Sequence, residues 1–198
     1  MAFIVIGCLA FGFLYLFDIN KISWRIKSIN LCFAVGCALL AFSTGGILIN
    51  GYGGFYIPLP FRVVFAVLAA AALALLVFSL FFALPVNQTY VNPKEENPVV
   101  DTGMYALCRH PGVIWFFLFY LFLWLASGLK LMLWAGLIWT IMDVIHVYIQ
   151  DRWLFPQCLQ DYHMYRSTTP FLVPTLSSMK RSVATFSGDS VQAGDLHK

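Results

Sequence analysis

The side chains of this chain that could do chemistry gather in two stretches and one stripe. The first stretch, residues 97–112, reads NPVVDTGMYALCRHPG; the second, residues 150–174, reads QDRWLFPQCLQDYHMYRSTTPFLVP. Between them Asp143, His146 and Gln150 recur at spacings of three and four, and Thr140 extends the same line. That spacing puts all four on one face of a helix. An imidazole with a carboxylate one turn away is a general-base pair. Arg109-His110-Pro111 suggests anion binding instead: Pro is favoured in the first turn of a helix, so Arg109 and His110 fall at a helix N-terminus, where main-chain N–H groups attract negative charge. Both have plain structural counterparts. A polar stripe is also how membrane helices hydrogen-bond to one another, and Arg-His at a helix start also anchors it at the membrane surface.

The elements that must position these residues are strongly apolar. Of 198 residues, 61% are hydrophobic, 17% aromatic and 11% charged, against about 25% charged in an ordinary soluble domain. This argues against a soluble enzyme, a disordered chain and a secreted disulfide scaffold. The net charge of +3 is small and the basic residues are scattered, so no nucleic-acid partner is expected. Five cysteines, an odd number without a CxxC, suggest neither disulfides nor a zinc site. His110, His146 and His163 with Asp151 lack tight ligand spacing, so no metal is expected.

Five apolar runs cover residues 2–17, 31–49, 63–84, 113–129 and 131–149. A spanning helix needs about 20 residues, and the first and fourth runs are near the lower limit. The expectation is an all-α, polytopic helix bundle with five transmembrane helices. The first run lacks a basic flank and a small-residue cleavage site and reads as a retained helix. Ser127-Gly128-Leu129-Lys130 alone separates runs four and five, which predicts a tight antiparallel hairpin. The hairpin returns the chain to one membrane face, so the two polar stretches at its ends should meet there. Lys21, Arg25, Lys27, Lys94, Arg109, Arg152, Arg166, Lys180 and Arg181 fall on one side and only Lys130 on the other. The positive-inside rule then sets the N-terminus outside and the C-terminus in the cytoplasm. The sequon at Asn87 would be cytoplasmic. Residues 1–174 read as a single transmembrane domain. Residues 175–198, rich in Ser, Gly, Asp and Lys, read as a disordered tail.

Val99-Val100-Asp101-Thr102-Gly103-Met104-Tyr105, followed by Arg109-His110-Pro111, resembles the LVxxGxY…RHP signature of the isoprenylcysteine carboxyl methyltransferases and their prokaryotic relatives. The second stretch strengthens the resemblance. Gln150-Asp151 stands where that family has an acidic pair, and Tyr162, Tyr165, Thr169-Pro170 and Pro174 follow at matching spacing. Phospholipid methyltransferases and the C-terminal halves of sterol reductases are more loosely similar. The resemblance covers residues 85–174. It departs in two places: Gly112-Val113-Ile114-Trp115 replaces x-Y-x-G after RHP, and the acidic pair is Gln-Asp. The substrate-side Arg of some members is absent, with His146 and Val147 in its region, which disfavours a classical prenylcysteine acceptor.

The resemblance implies an S-adenosylmethionine-dependent membrane methyltransferase. Its cofactor contacts carry over to Asn97, Pro98, Val99, Val100, Tyr105, Arg109, His110, Pro111, Gly112, Val113, Gln150 and Asp151. Arg109 would hold the cofactor carboxylate, and Asp151 would take the ribose hydroxyls or the ammonium. The partner would be a lipophilic small molecule or lipidated substrate entering from the bilayer. A carboxylate acceptor is ionised at pH 7 and needs no base. For an amine or thiol, His146 is the candidate base, with Asp143 to orient it. The competing readings are a non-catalytic membrane protein on the same scaffold and a reductase-like relative using a nicotinamide cofactor.

Overall fold

A computed structural model describes residues 1–82 and 99–186 of the chain. Asn97, Pro98, Lys94 and the sequon at Asn87 lie outside the described residues. Among those described, the secondary structure is helical, joined by one isolated antiparallel bridge between Gly54 and Leu129. The helices are α1 (Ala2–Ile19), α2 (Leu31–Asn50), α3 (Leu59–Phe81), α4 (Met104–Leu107), α5 (Pro111–Ser127), α6 (Lys130–Ile149), α7 (Phe155–Cys158), α8 (Tyr162–Thr168) and α9 (Leu176–Phe186). A π-helical turn, Asn20–Trp24, extends α1, and another, Gln150–Leu154, extends α6. Four segments are long and apolar enough to cross a membrane: Ala2–Trp24, Lys27–Asn50, Leu59–Phe81 and Lys130–Cys158. The expected fifth is shorter. Helix α5 has 17 residues, about 25 Å at 1.5 Å per residue, against an apolar membrane core of about 30 Å. It stops at Ser127 because Gly128 takes a positive φ of 72°, which a helix does not tolerate.

The chain divides into two compact units. The first comprises Met1–Ala74 and Trp115–Gln157. Here α1 packs on α2 and α6, with small residues admitting large ones, as helices in lipid require for close approach. A Cβ at Gly7 would collide with the Trp139 indole, and one at Gly46 with the Phe3 ring. Trp139 is fully buried and its indole N–H donates to the Ile4 carbonyl at 3.2 Å. Tyr120 meets Trp139 edge-to-face at 5.2 Å and shares a hydrogen bond with Thr44 at 2.9 Å. The turn between α1 and α2 is closed by buried Asn20. Its Nδ2 donates to the Ile26 carbonyl, its Oδ1 accepts from Ile26 N–H, and Arg25 adopts a left-handed φ of 54°.

At the far end, the loop after α2 is stitched to the α5–α6 turn. Phe55 N–H donates to the Gly128 carbonyl at 3.2 Å and Lys130 N–H to the Gly53 carbonyl at 3.3 Å. Two positions here need glycine: a Cβ at Gly54 would collide with the Gly128 carbonyl, and one at Gly128 with the Phe55 carbonyl. Arg62 Nε donates to the Ala126 carbonyl at 3.2 Å, so Lys130 is not the only cation at this end. Arg62 lies one residue before the apolar run that starts at Val63 and belongs to the charge count of this end.

The second unit comprises Leu75–Ile114 and Cys158–Lys198. Of the tail expected to be disordered from residue 175, only the part up to residue 186 is described, and it is helical; residues 187–198 lie outside the described residues. Residues 176–186 form α9, which packs on α4. The cause is a reciprocal cap: Ser178 N–H donates to Thr175 Oγ1, while Thr175 N–H donates to Ser178 Oγ at 2.9 Å. A polar composition hid a helix that begins with a capping box.

Candidate functional site

In the second unit residues 105–109 of the first stretch are bonded to residues 165–170 of the second. Gly103 sits at φ 58°, ψ −126°, a conformation essentially restricted to glycine, and there the chain turns into α4. Tyr105 follows on α4, buried, its hydroxyl donating to the Ser79 carbonyl near the end of α3 at 2.9 Å. Tyr165, from the second stretch, donates its hydroxyl to the Tyr105 carbonyl at 2.7 Å. Arg109 binds the second stretch three times: its N–H to the Pro170 carbonyl at 2.9 Å, and its Nη1 to the carbonyls of Arg166 at 2.9 Å and Thr169 at 2.6 Å. The Phe171 ring lies 5.6 Å from this guanidinium and meets buried His110 edge-to-face at 5.0 Å. Arg109 thus satisfies the carbonyls at the end of α8, the cation-at-C-terminus arrangement that the peptide dipoles favour.

Burial has a chemical consequence here. Cys108 is fully buried, and desolvation pushes its thiol from 9.0 to about 11, outweighing the opposing His110 main-chain hydrogen bond and Arg109 charge. Desolvation likewise raises Tyr165, with Tyr162 adding to it. Both groups stay protonated at neutral pH.

The polar stripe of α6 lies in the first unit, facing α1. His146 Nε2 is 2.6 Å from Asp18 Oδ2, and Gln150 Nε2 donates to the same oxygen at 2.8 Å. The Tyr15 ring meets the imidazole edge-to-face at 4.7 Å. The carboxylate holding His146 is therefore Asp18 of α1, and not Asp143 of its own helix. Local spacing cannot reveal such a partner, though a carboxylate directly after the apolar run 2–17 was a usable signal. Thr140 Oγ1 is buried without a hydrogen-bond partner among the described residues. Asp151 sits just beyond, only 2% exposed, within the π-helical turn. Such turns are rare and recur at functional sites.

No protein-family model matches this chain, and no curated protein or solved structure does.

Geometry and residue chemistry must therefore carry the functional reading. Tyr105, Arg109, His110, Pro111 and Gly112 belong to one unit, with Val99 and Val100 half-buried ahead of them. His146, Gln150 and Asp151 belong to the other. Val113, buried at the start of α5, belongs to the unit of Arg109. A Cβ at Gly112 would meet nothing nearer than 3.6 Å, its neighbours being Leu80, Ser79 and Leu76 of α3. Among the described residues, no three His, Cys, Asp or Glu side chains are grouped to hold a metal ion.

Proposed function

We propose that this chain is an integral membrane methyltransferase. It uses S-adenosylmethionine to methylate a lipophilic carboxylate, thiol or amine at the cytoplasmic face. The observation that carries the reading is an ordered set of motifs: Gly103-x-Tyr105, Arg109-His110-Pro111, the α5–α6 hairpin, Asp151, Tyr162-x-x-Tyr165, and Thr169-Pro170 with Pro174. The hydrogen bonds from Tyr165 to Tyr105 and from Arg109 to Thr169 support it, since they join residues matched only by sequence order.

The residues suit the cofactor in kind. Val99, Val100 and Val113 offer apolar surface for adenine. Main-chain N–H groups at the start of α5 suit its carboxylate, a role that Arg109, engaged with two carbonyls, leaves to the helix end. Asp151 suits ribose hydroxyls. When bound, the cofactor supplies an electrophilic methyl group on a sulfonium. The chain contributes positioning and exclusion of water. For an amine or thiol acceptor, His146 takes the proton, oriented by Asp18.

In this reading α5 is a fifth span. Gly112 near its start lies against the last turns of α3, and Ala126 near its end meets Arg62 near the start of α3. The N-terminus lies outside and the C-terminus in the cytoplasm, since Lys21, Arg25, Lys27, Arg109, Arg152, Arg166, Lys180 and Arg181 oppose Arg62 and Lys130.

A second reading, a membrane protein without catalysis, is favoured by the same contacts of Arg109 and Asp18, because each gives a polar residue a structural task. Expression of the chain in membranes supplied with methyl-tritiated S-adenosylmethionine separates the two. Label appearing in the lipid or protein fraction, and lost with Asp151→Ala, is expected of the enzyme. Absence of transferred label from folded protein favours the scaffold.

A further inference from the structure

Helix α9 has two unlike faces. One is polar and docked: Ser182 Oγ donates to the Gly103 carbonyl at 2.7 Å, Gly103 N–H donates to Thr185 Oγ1 at 2.9 Å, and Arg181 Nη2 donates to the Thr168 carbonyl at 2.9 Å. The other carries Leu176, Met179 and Val183, spaced as one helical stripe, and these are 80%, 49% and 66% exposed. Lys180 flanks the stripe and is exposed. From residue 162 to 188 the sequence holds Arg166, Lys180 and Arg181 and no Asp or Glu.

The level of α9 is fixed within its own unit. It is bonded to Gly103; two residues on, Tyr105 is bonded to Ser79, close to the end of the spanning helix α3. The end of a span marks the headgroup region of a bilayer. An apolar stripe flanked by cations at that depth has the chemistry of a surface-lying helix, and juxtamembrane cations are attracted to anionic lipid. We infer that α9 is an interfacial helix. Its Leu176, Met179 and Val183 face lies in the headgroup–acyl boundary of the leaflet reached by the C-terminal end of α3, and Lys180 meets anionic headgroups. The occupant of the exposed stripe is the membrane in which the chain itself is embedded. α9 thus clamps the Gly103 turn from the lipid side, whatever reaction the chain performs.

The test uses the full chain in nanodiscs. On a cysteine-free background, an environment-sensitive fluorophore is placed through Leu176→Cys, Val183→Cys or Ser177→Cys. Blue-shifted emission quenched by spin-labelled lipid is expected at 176 and 183, and quenching by aqueous iodide at 177. Iodide quenching at all three positions would overturn the inference. So would shielding of 176 and 183 that persists in detergent and grows with protein concentration, because the stripe would then be covered by a second copy. Hydrogen exchange on the unmodified chain gives an independent readout. Amides of 176–186 should exchange several-fold more slowly with phosphatidylserine present than in phosphatidylcholine alone, and Lys180→Glu should erase that difference without altering 104–107. Equal exchange of the unmodified chain in both lipids would refute the headgroup contact.

Discussion

His146 Nε2 lies 2.6 Å from Asp18 Oδ2, a contact that joins α6 to α1 across 128 residues of sequence. Gln150 shares the same carboxylate oxygen. Asp18→Ala leaves a buried donor, His146, and a half-buried one, Gln150, without their acceptor. The expected loss is about 1–3 kcal/mol for each stranded group, read by thermal unfolding in detergent. Adding His146→Ala should cost less than the sum of the two single changes, by about 1 kcal/mol, within the range found for polar contacts between membrane helices. Strict additivity would mean that the contact carries no energy.

The same contact predicts which carboxylate matters for a base. If an amine or thiol is methylated, Asp18→Asn lowers the rate more than Asp143→Asn does, because Asp18 holds the imidazole. An unchanged rate with His146→Ala removes His146 from the chemistry.

Arg109 is expected to hold the second motif stretch in place. Arg109→Ala removes two charge-assisted hydrogen bonds, to Arg166 and Thr169, for a loss of about 3 kcal/mol. Exchange of amides in 162–170 should rise with it. Arg109→Lys should recover only part, because an ammonium lacks the fork that reaches both carbonyls. Unaltered exchange would show that the segment is held by other contacts.

Gly103 is conformationally required. At φ 58°, ψ −126°, Gly103→Ala should destabilise the unit by about 1–3 kcal/mol and loosen α9, which is bonded to Gly103 through both main-chain groups. Thermal unfolding and limited proteolysis near residue 186 read the two effects. The glycine of Gly103-Met104-Tyr105 thus has a backbone reason.

Cys108 gives a pH dependence. Burial raises its thiol from 9.0 to about 11, so the folded chain binds that proton more tightly than the unfolded one. The stability it contributes is fully present below pH 9 and is lost as the pH rises through about 11. At pH 9, maleimide should label Cys108 only after unfolding. Rapid labelling of the native protein would show that the thiol is neither buried nor raised.

Run length and charge made the helical character legible in the sequence, with four segments long and apolar enough to cross a membrane, because each needs only local composition. The candidate site offered its residue types to the sequence, and its partners only in part. Spacing put Asp143, His146 and Gln150 on one face, but what that face meets depends on α1, and the contact with Asp18 leaves no periodic trace. Arg109 was readable as a cation at a helix start. Its partners are main-chain carbonyls, which no side-chain pattern announces. α9 was missed because its polar composition outweighed the Thr175–Ser178 cap, and because its docked face is built from serines and a threonine rather than from apolar residues.

Whether the motif residues serve a cofactor is tested most directly by calorimetric titration of the detergent-purified chain with S-adenosylhomocysteine, with Asp151→Ala as control and thermal unfolding to establish that both proteins are folded. Saturable binding by the wild type at one site per chain, weakened at least tenfold in the variant, is predicted. No heat of binding from folded wild-type protein would contradict this and leave His146 and Asp151, like Arg109, as structural residues of a membrane scaffold.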